Sequence, residues 1–339
     1  MIYTLTLNPA VDRELTVPDI TFDSVLRASK SQVDFGGKGF NVSRLLKGLG
    51  TPSTAIGFLG GKAGEILLDG LRALEIGTDF VSIPGETRTN VSIVTPTGGH
   101  YIKVNEKGPA IPAEKQAELL SKIEGLAKSG DWWVLAGSLP PGVQDDFYAQ
   151  IIEILNRQDA MTLLDTIGEP LRLGCQEKPY LVKPNTEEAY ILTGLPMDTL
   201  EEIAQGAVQI RKLGAQNVVV SMGKAGALLQ TEEATWLVQS PKIVEKNPIG
   251  AGDSMVGGLV WALTASHPLK EALGWGVASG AATASLSGTE VGSRELIESL
   301  FTQVRYEAVP LLLSTEKWEL NAIRNPSGKI LSGQRQDGV

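Results

Sequence analysis

An apolar run from Ile2 to Leu7 mixes β-branched, aromatic and aliphatic side chains and stops at Asn8-Pro9. That pattern predicts a buried strand ending in a loop. Between residues 11 and 34 short apolar pieces alternate with polar ones, as in Glu14-Leu15-Thr16-Val17 and Gln32-Val33-Asp34, which predicts exposed strands. Residues 86–104 repeat this style, with Val91-Ser92-Ile93-Val94, a Thr97-Gly98-Gly99 turn, and Tyr101-Ile102-Lys103-Val104. Both stretches read as parts of one small sheet outside the main body. Val42, Leu45, Leu46 and Leu49 recur at helical spacing and Gly50 stops them, so a helix is expected over 41–49. After residue 110 the pattern alternates. Helices over 113–128 and 144–157 precede strands at Trp132–Ala136 and Met161–Asp165, and a strand over Tyr180–Lys183 follows. Helices over 186–193 and 199–213 then lead to a strand at Asn217–Ser221. Such alternation predicts an α/β fold whose mostly parallel sheet is covered on both faces, with ligands bound beyond the carboxyl ends of the strands. After Pro310-Leu311-Leu312-Leu313 the sequence turns polar, so residues 311–339 are expected to be a loosely ordered extension.

Composition narrows the chemistry. Of 339 residues 42% are hydrophobic and 20% charged, an ordinary globular balance. The single cysteine, Cys175, forbids an internal disulfide and suits a reducing cytoplasm. Only His100 and His267 are present, which argues against a His-rich zinc site and a Ser-His-Asp triad, while oxygen ligands for a hard cation stay available. A net charge of −9 argues against nucleic-acid and anionic-membrane partners. The N-terminal residues lack a basic signal-peptide start, and no apolar run is long enough to span a bilayer.

Two glycine-rich loops carry the candidate chemistry. Gly250-Ala251-Gly252-Asp253-Ser254 runs straight into the apolar stretch Met255–Leu263, a loop feeding a helix N-terminus. Its amides could hold an anion while Asp253 takes a proton from a hydroxyl. A bare motif of this kind is more often a tight turn with the Asp as a helix cap. Gly36-Gly37-Lys38-Gly39-Phe40-Asn41 opens the 41–49 helix in the same way and adds a mobile positive charge. It lacks Walker A spacing, and alone it reads equally as a turn with a solvated lysine. A dinucleotide-binding oxidoreductase would need G-x-G-x-x-G after the first strand, where Asn8-Pro9-Ala10 stands instead.

Together, in this order and spacing, the two loops resemble the signatures of the ribokinase-like carbohydrate kinases of the PfkB family. Thr6-Leu7-Asn8-Pro9-Ala10-Val11-Asp12 resembles the start of its sugar-phosphate kinases, and the likeness runs over residues 1–300. It implies a three-layer α/β/α sandwich with a small β-sheet lid at 11–35 and 86–105, within a kinase domain over 1–310. It also implies ATP and Mg²⁺ as cofactors, a phosphosugar as partner, and a homodimer through the lid sheet.

By the same resemblance, Asp253 would be the general base and the amides of Gly250, Ala251 and Gly252 the anion cradle. Asp12, Gly37, Lys38, Asn41 and Ser138 would touch the acceptor, and Arg88 and Lys103 its existing phosphate. Lys183, Ser221, Gly223 and Gly226 would line the nucleotide, and Asn185 with Glu188 would organise Mg²⁺, through water. Without that context Asn185 and Glu188 are a plain helix capping box, Ser221–Gly226 a hairpin turn, Asp12 a loop-capping residue, and Arg88 and Lys103 solvated surface charges. Ser279–Ser285 would lie near the adenine. Arg27 would be a basic residue able to reach a neighbouring subunit.

Within that resemblance, Met255-Val256-Gly257-Gly258 and Thr89-Asn90-Val91 look more like the members that convert fructose 1-phosphate into fructose 1,6-bisphosphate. Asn247-Pro248 resembles the members acting on tagatose 6-phosphate, and Phe40, beside what the resemblance makes the acceptor loop, is unusual for either. A non-catalytic sugar-phosphate sensor would be marked by loss of Asp253, Gly252 or Asn185, all of which are present.

Overall fold

A computed structural model describes residues 1–96, 100–288 and 290–310. The expected Thr97–Gly99 turn and the extension over 311–339 lie outside the described residues. The first strand, β1 (Ile2–Thr6), is buried throughout; β2 (Ala10–Thr16) and β3 (Lys30–Gly36) follow, and α1 (Lys38–Gly48) begins two residues after β3. Next come β4 (Thr54–Leu59), α2 (Gly61–Ala73), β5 (Gly77–Thr78), β6 (Val81–Ser82), β7 (Arg88–Val94) and β8 (Tyr101–Asn105). The alternating half runs through α3 (Ala113–Leu126), β9 (Trp132–Ala136), α4 (Phe147–Arg157), β10 (Met161–Asp165), α5 (Gly168–Gln176) and β11 (Leu181–Val182). It continues with α6 (Thr186–Thr193), α7 (Leu200–Lys212), β12 (Asn217–Ser221), β13 (Ala227–Gln230) and β14 (Thr235–Gln239). The last described elements are α8 (Ala251–Thr264), α9 (Leu269–Ala284), α10 (Arg294–Phe301) and β15 (Arg305–Ala308).

One sheet has the order β15-β14-β13-β12-β11-β10-β9-β1-β4-β5, with β6 beside β4. It is parallel from β12 to β5, and the three strands β13 to β15 add antiparallel pairs at the other edge. Neighbouring residues on each strand point to opposite faces, so β9 sends Trp133 and Leu135 into one core and Trp132, Val134 and Ala136 into the other. The first core is covered by α3, α4, α5 and α7, the second by α1, α8 and α9. This is the expected three-layer sandwich. On the second face α8 and α9 lie very close. A Cβ on Gly258 would run into the Ser279 hydroxyl, and one on Gly276 would meet the Met255 carbonyl at 2.7 Å. That contact anchors the helix whose N-terminus carries the Gly250–Ser254 loop.

The small sheet forms as expected, in the order β3-β2-β7-β8. Asp12 pairs with Asn90, Ala10 with Arg88, and Ser92 with Lys103. Residues two apart share a face, so Arg88, Asp12, Asn90 and Lys103 line one side of it. The other side is mostly apolar, with Arg13 set between Val33 and Val91, and Val33 (43% exposed) and Val104 (59%) remain open to solvent there.

Some boundaries differ from the sequence pattern. Helix α1 starts three residues before the predicted 41, because Gly39 packs on β1 and its N–H donates to the Thr6 hydroxyl (3.1 Å). Glycine's poor helix propensity hides that turn. Strand β11 has two residues rather than four, and α4 starts at Phe147 rather than 144. No helix among the described residues is long and apolar enough to cross a membrane.

Candidate active site

Helix α8 is capped by Gly250 in the left-handed region (φ 79°), with no side-chain cap. A non-glycine residue would be strained there. Asp253 is therefore not the helix cap. Its Oδ2 instead accepts from Asn41 Nδ2 at 2.8 Å, joining the two glycine-rich loops across 212 residues of chain. Asp253 is buried, and burial raises its pKa most, followed by the negative charge of Asp165. The Asn41 hydrogen bond, Lys38 and Lys183 pull the other way, leaving it at about 6. A carboxyl tuned there is ionised at neutral pH and close enough to it to exchange protons readily. Of the amides expected to cradle an anion, Ala251 N–H already donates to the Pro248 carbonyl (3.1 Å). The amides of Gly252 and Asp253, in the first turn, have no intrahelical acceptor.

Sequence reasoning missed Asp165, the last residue of β10. Its carboxylate is 1% exposed and takes Lys38 Nζ on Oδ1 (2.9 Å) and Lys183 Nζ on Oδ2 (3.2 Å). Burial opposes its charge, but Lys183 and then Lys38 outweigh that and hold its pKa below the ordinary carboxylate value. For Lys38 burial likewise opposes the charge, while Asp165, then Glu188 and Asp253, hold its pKa above the usual lysine value. A Cβ on Gly252 would come within 3.8 Å of Lys183 Nζ, so this ammonium borders the α8 turn. The available signal was position: a carboxylate at the carboxyl end of a central parallel strand, where α/β sheets bind ligands.

Lys183, Asn185, Ser221, Gly223 and Gly226 come together beyond β11 and β12. Ser221 N–H donates to the Pro184 carbonyl (2.9 Å), and Asn185 and Ser221 form a parallel bridge. Gly223 and Gly226 close the β12–β13 hairpin, Met222 N–H donating to the Gly226 carbonyl. Asn185 and Glu188 form the full capping box of α6. Asn185 Oδ1 accepts from the Glu188 amide and Glu188 Oε2 from the Asn185 amide, both at 2.8 Å. Those oxygens are engaged with the backbone, and Glu188 Oε1 is left. Among the described residues no cluster of three His, Cys, Asp or Glu could hold a metal. The donor set fits a cation that keeps several waters, as Mg²⁺ does, rather than a protein cage.

On the lid, Asn90 Nδ2 donates to Asp12 Oδ1 (2.7 Å), and burial is the main reason the Asp12 pKa is raised. Arg88 Nε donates to the Asn8 carbonyl (3.2 Å) and its Nη1 to the Glu106 carbonyl (2.9 Å), fixing the guanidinium at the lid base. Lys103 is exposed, and near enough to Asp12 to lower its pKa. Gly37 precedes α1. Ser138 is exposed in the turn after β9, where Gly137 N–H donates to the Asp165 carbonyl. Phe40 is fully buried in a core with Val11, Leu59 and Leu67, on the side of the Gly36–Asn41 loop turned to the interior. Ser279 is sealed in the α8–α9 contact. Arg27 is exposed in the loop between β2 and β3.

Residues 5–295 match the model of the pfkB family carbohydrate kinases. The chain is 39% identical over 305 residues to a 1-phosphofructokinase of Bacillus subtilis, covering 90% of this chain and 99% of that one. The crystal structure of phosphofructokinase-2 from Escherichia coli in complex with fructose-6-phosphate superposes with a TM-score of 0.82 at 31% identity, over 89% of this chain and 98% of that one. Arabidopsis thaliana ribokinase, solved with ribose and ATP, shares the fold at 19% identity (TM-score 0.73, 88% of this chain and 98% of that one). With a family match over most of its length and relatives this similar, the chain belongs to the pfkB family of carbohydrate kinases.

Proposed function

We propose that the protein transfers the γ-phosphoryl group of ATP to fructose 1-phosphate, giving fructose 1,6-bisphosphate. The observation that carries this reading is Asp253, buried at a helix N-terminus that has no side-chain cap, with its pKa raised to about 6 and its carboxylate held by Asn41. Asp253 removes the proton from the attacking sugar hydroxyl. The free amides of the α8 turn face the charge that develops on the transferring group. Lys38 and Lys183 bring two positive charges to the same place, and Arg88 with Lys103 holds the phosphate already on the sugar. Mg²⁺, when bound with ATP, supplies charge neutralisation, and Glu188, backed by Asn185, would hold its waters. The lid sheet would exclude water, leaving catalysis mainly to positioning and electrostatics.

The identity to a 1-phosphofructokinase supports the fructose 1-phosphate acceptor; nothing in the site favours tagatose 6-phosphate or a non-catalytic sensor. The half-exposed apolar side of the lid, with Val33 and Val104, supports a homodimer through that sheet, which would cover its edges. The test is product identity. Incubation with Mg·ATP and fructose 1-phosphate, followed by ³¹P NMR, should show ADP and a second phosphate ester on the sugar. ADP formed without a new sugar ester would overturn the assignment.

A further inference from the structure

We propose that Asp165 is a positioning residue that holds Lys38 and Lys183, one on each carboxylate oxygen, so that the cations of the acceptor loop and of the nucleotide side are set before either substrate arrives. The two lysines come from different parts of the chain, α1 and the end of β11, and meet on one carboxylate. The backbone under Asp165 is pinned as well. Its carbonyl accepts from Gly137 N–H (2.9 Å), and the preceding Leu164 carbonyl accepts from Lys183 N–H (3.1 Å). A carboxylate this buried is costly unless paired and fully hydrogen-bonded. Here both oxygens have ammonium partners, and the triad keeps one net positive charge facing the α8 turn. Without Asp165 the two ammoniums would repel each other and drift from the transfer line.

The chemistry of an amide makes the proposal testable. Asn has the shape of Asp but offers one acceptor and one donor, whereas two ammoniums both need acceptors. In Asp165→Asn the oxygen should stay with Lys183, whose side chain is 5% exposed and has no recourse to water. Lys38, at 36%, can turn to solvent and is the one released. This idea takes the role of the lysines from the kinase reading, but how they are held does not depend on it.

Two readouts separate the claims. In ligand-free protein, trace acylation with peptide mapping should label Lys38 about tenfold faster in Asp165→Asn than in wild type, because losing the carboxylate removes the interaction that holds its pKa above the usual lysine value. Lys62, exposed and remote in sequence, serves as the internal standard. In the kinase assay the variant should lose kcat on the order of 10²-fold, the scale of an ångström misplacement, and ATP should still bind. On a Lys38→Met background, where one lysine meets one acceptor, Asp165→Asn should cost little more. This double variant also serves if the single one folds poorly. Unchanged Lys38 labelling overturns the proposal, as do additive losses in the double variant. Recovery of turnover at higher Mg²⁺ also overturns it, since Asp165 would then serve the metal. If wild type transfers no phosphoryl group, the kinase reading fails and the labelling still decides this one.

Discussion

Replacing Asp253 by Asn should end turnover and make the protein more stable at the same time. The folded state holds Asp253 at a pKa of about 6, against 3.8 for an unburied aspartate. A raised folded pKa means that the native state prefers the protonated carboxyl. The associated stability is therefore complete below 3.8 and is lost as pH rises through about 6. A shift of about two units makes the ionised carboxylate cost about 3 kcal/mol at pH 8, and about half that at pH 5, where the native carboxyl is mostly protonated. Asn at this position keeps an amide oxygen for the Asn41 donor and carries no charge, so it removes that cost. Urea unfolding of wild type and Asp253→Asn at pH 8 and pH 5 measures it. The variant should be more stable by about 3 kcal/mol at pH 8, and the gap should shrink by about half at pH 5. Equal stability at both pH values would refute the claim that burial, with Asp165 behind it, keeps Asp253 poised as a base. Destabilisation at pH 8 would refute it too.

Other expectations concern the rest of the site. Turnover should fall as pH drops through about 6, where Asp253 takes up its proton; a kcat that stays level down to pH 5 would exclude it as the base. Arg88→Ala and Lys103→Ala should each raise the KM for the phosphosugar about 10- to 100-fold, the scale of a charge-assisted hydrogen bond, while ATP constants stay near wild type. Equal effects on both ligands would put these residues elsewhere than at the sugar phosphate. Val33→Glu or Val104→Glu should yield monomers by light scattering, and a dimer that survives both changes does not use the apolar lid face.

Much of the layout was legible in the chain because its signals are local. The period-2 and helical patterns give β1, β9, β10, β12 and the lid strands, and Asp253 and Lys38 stand out through the glycines around them. What stayed hidden depends on the third dimension. The three antiparallel strands at one sheet edge and the β4–α2 unit carry no motif, and Gly39 masks the first turn of α1. Asp165 looks like any aspartate ending a strand until the fold brings two lysines onto it. Asn185 and Glu188, three apart, suit a capping box and a metal site equally by spacing. The fold forms the capping box and leaves Glu188 Oε1 outside it. Phe40, next to a reactive loop in sequence, points the other way because Gly37 to Asn41 begins a helix whose buried side faces the core.

The most direct test is ADP release with Mg·ATP, wild type beside Asp253→Asn, on fructose 1-phosphate, fructose 6-phosphate, tagatose 6-phosphate and unphosphorylated fructose. Wild type should turn over fructose 1-phosphate selectively, and the variant should be inactive while still binding ATP. A preference for another acceptor would contradict the substrate assignment, and near-normal turnover by Asp253→Asn would contradict the mechanism.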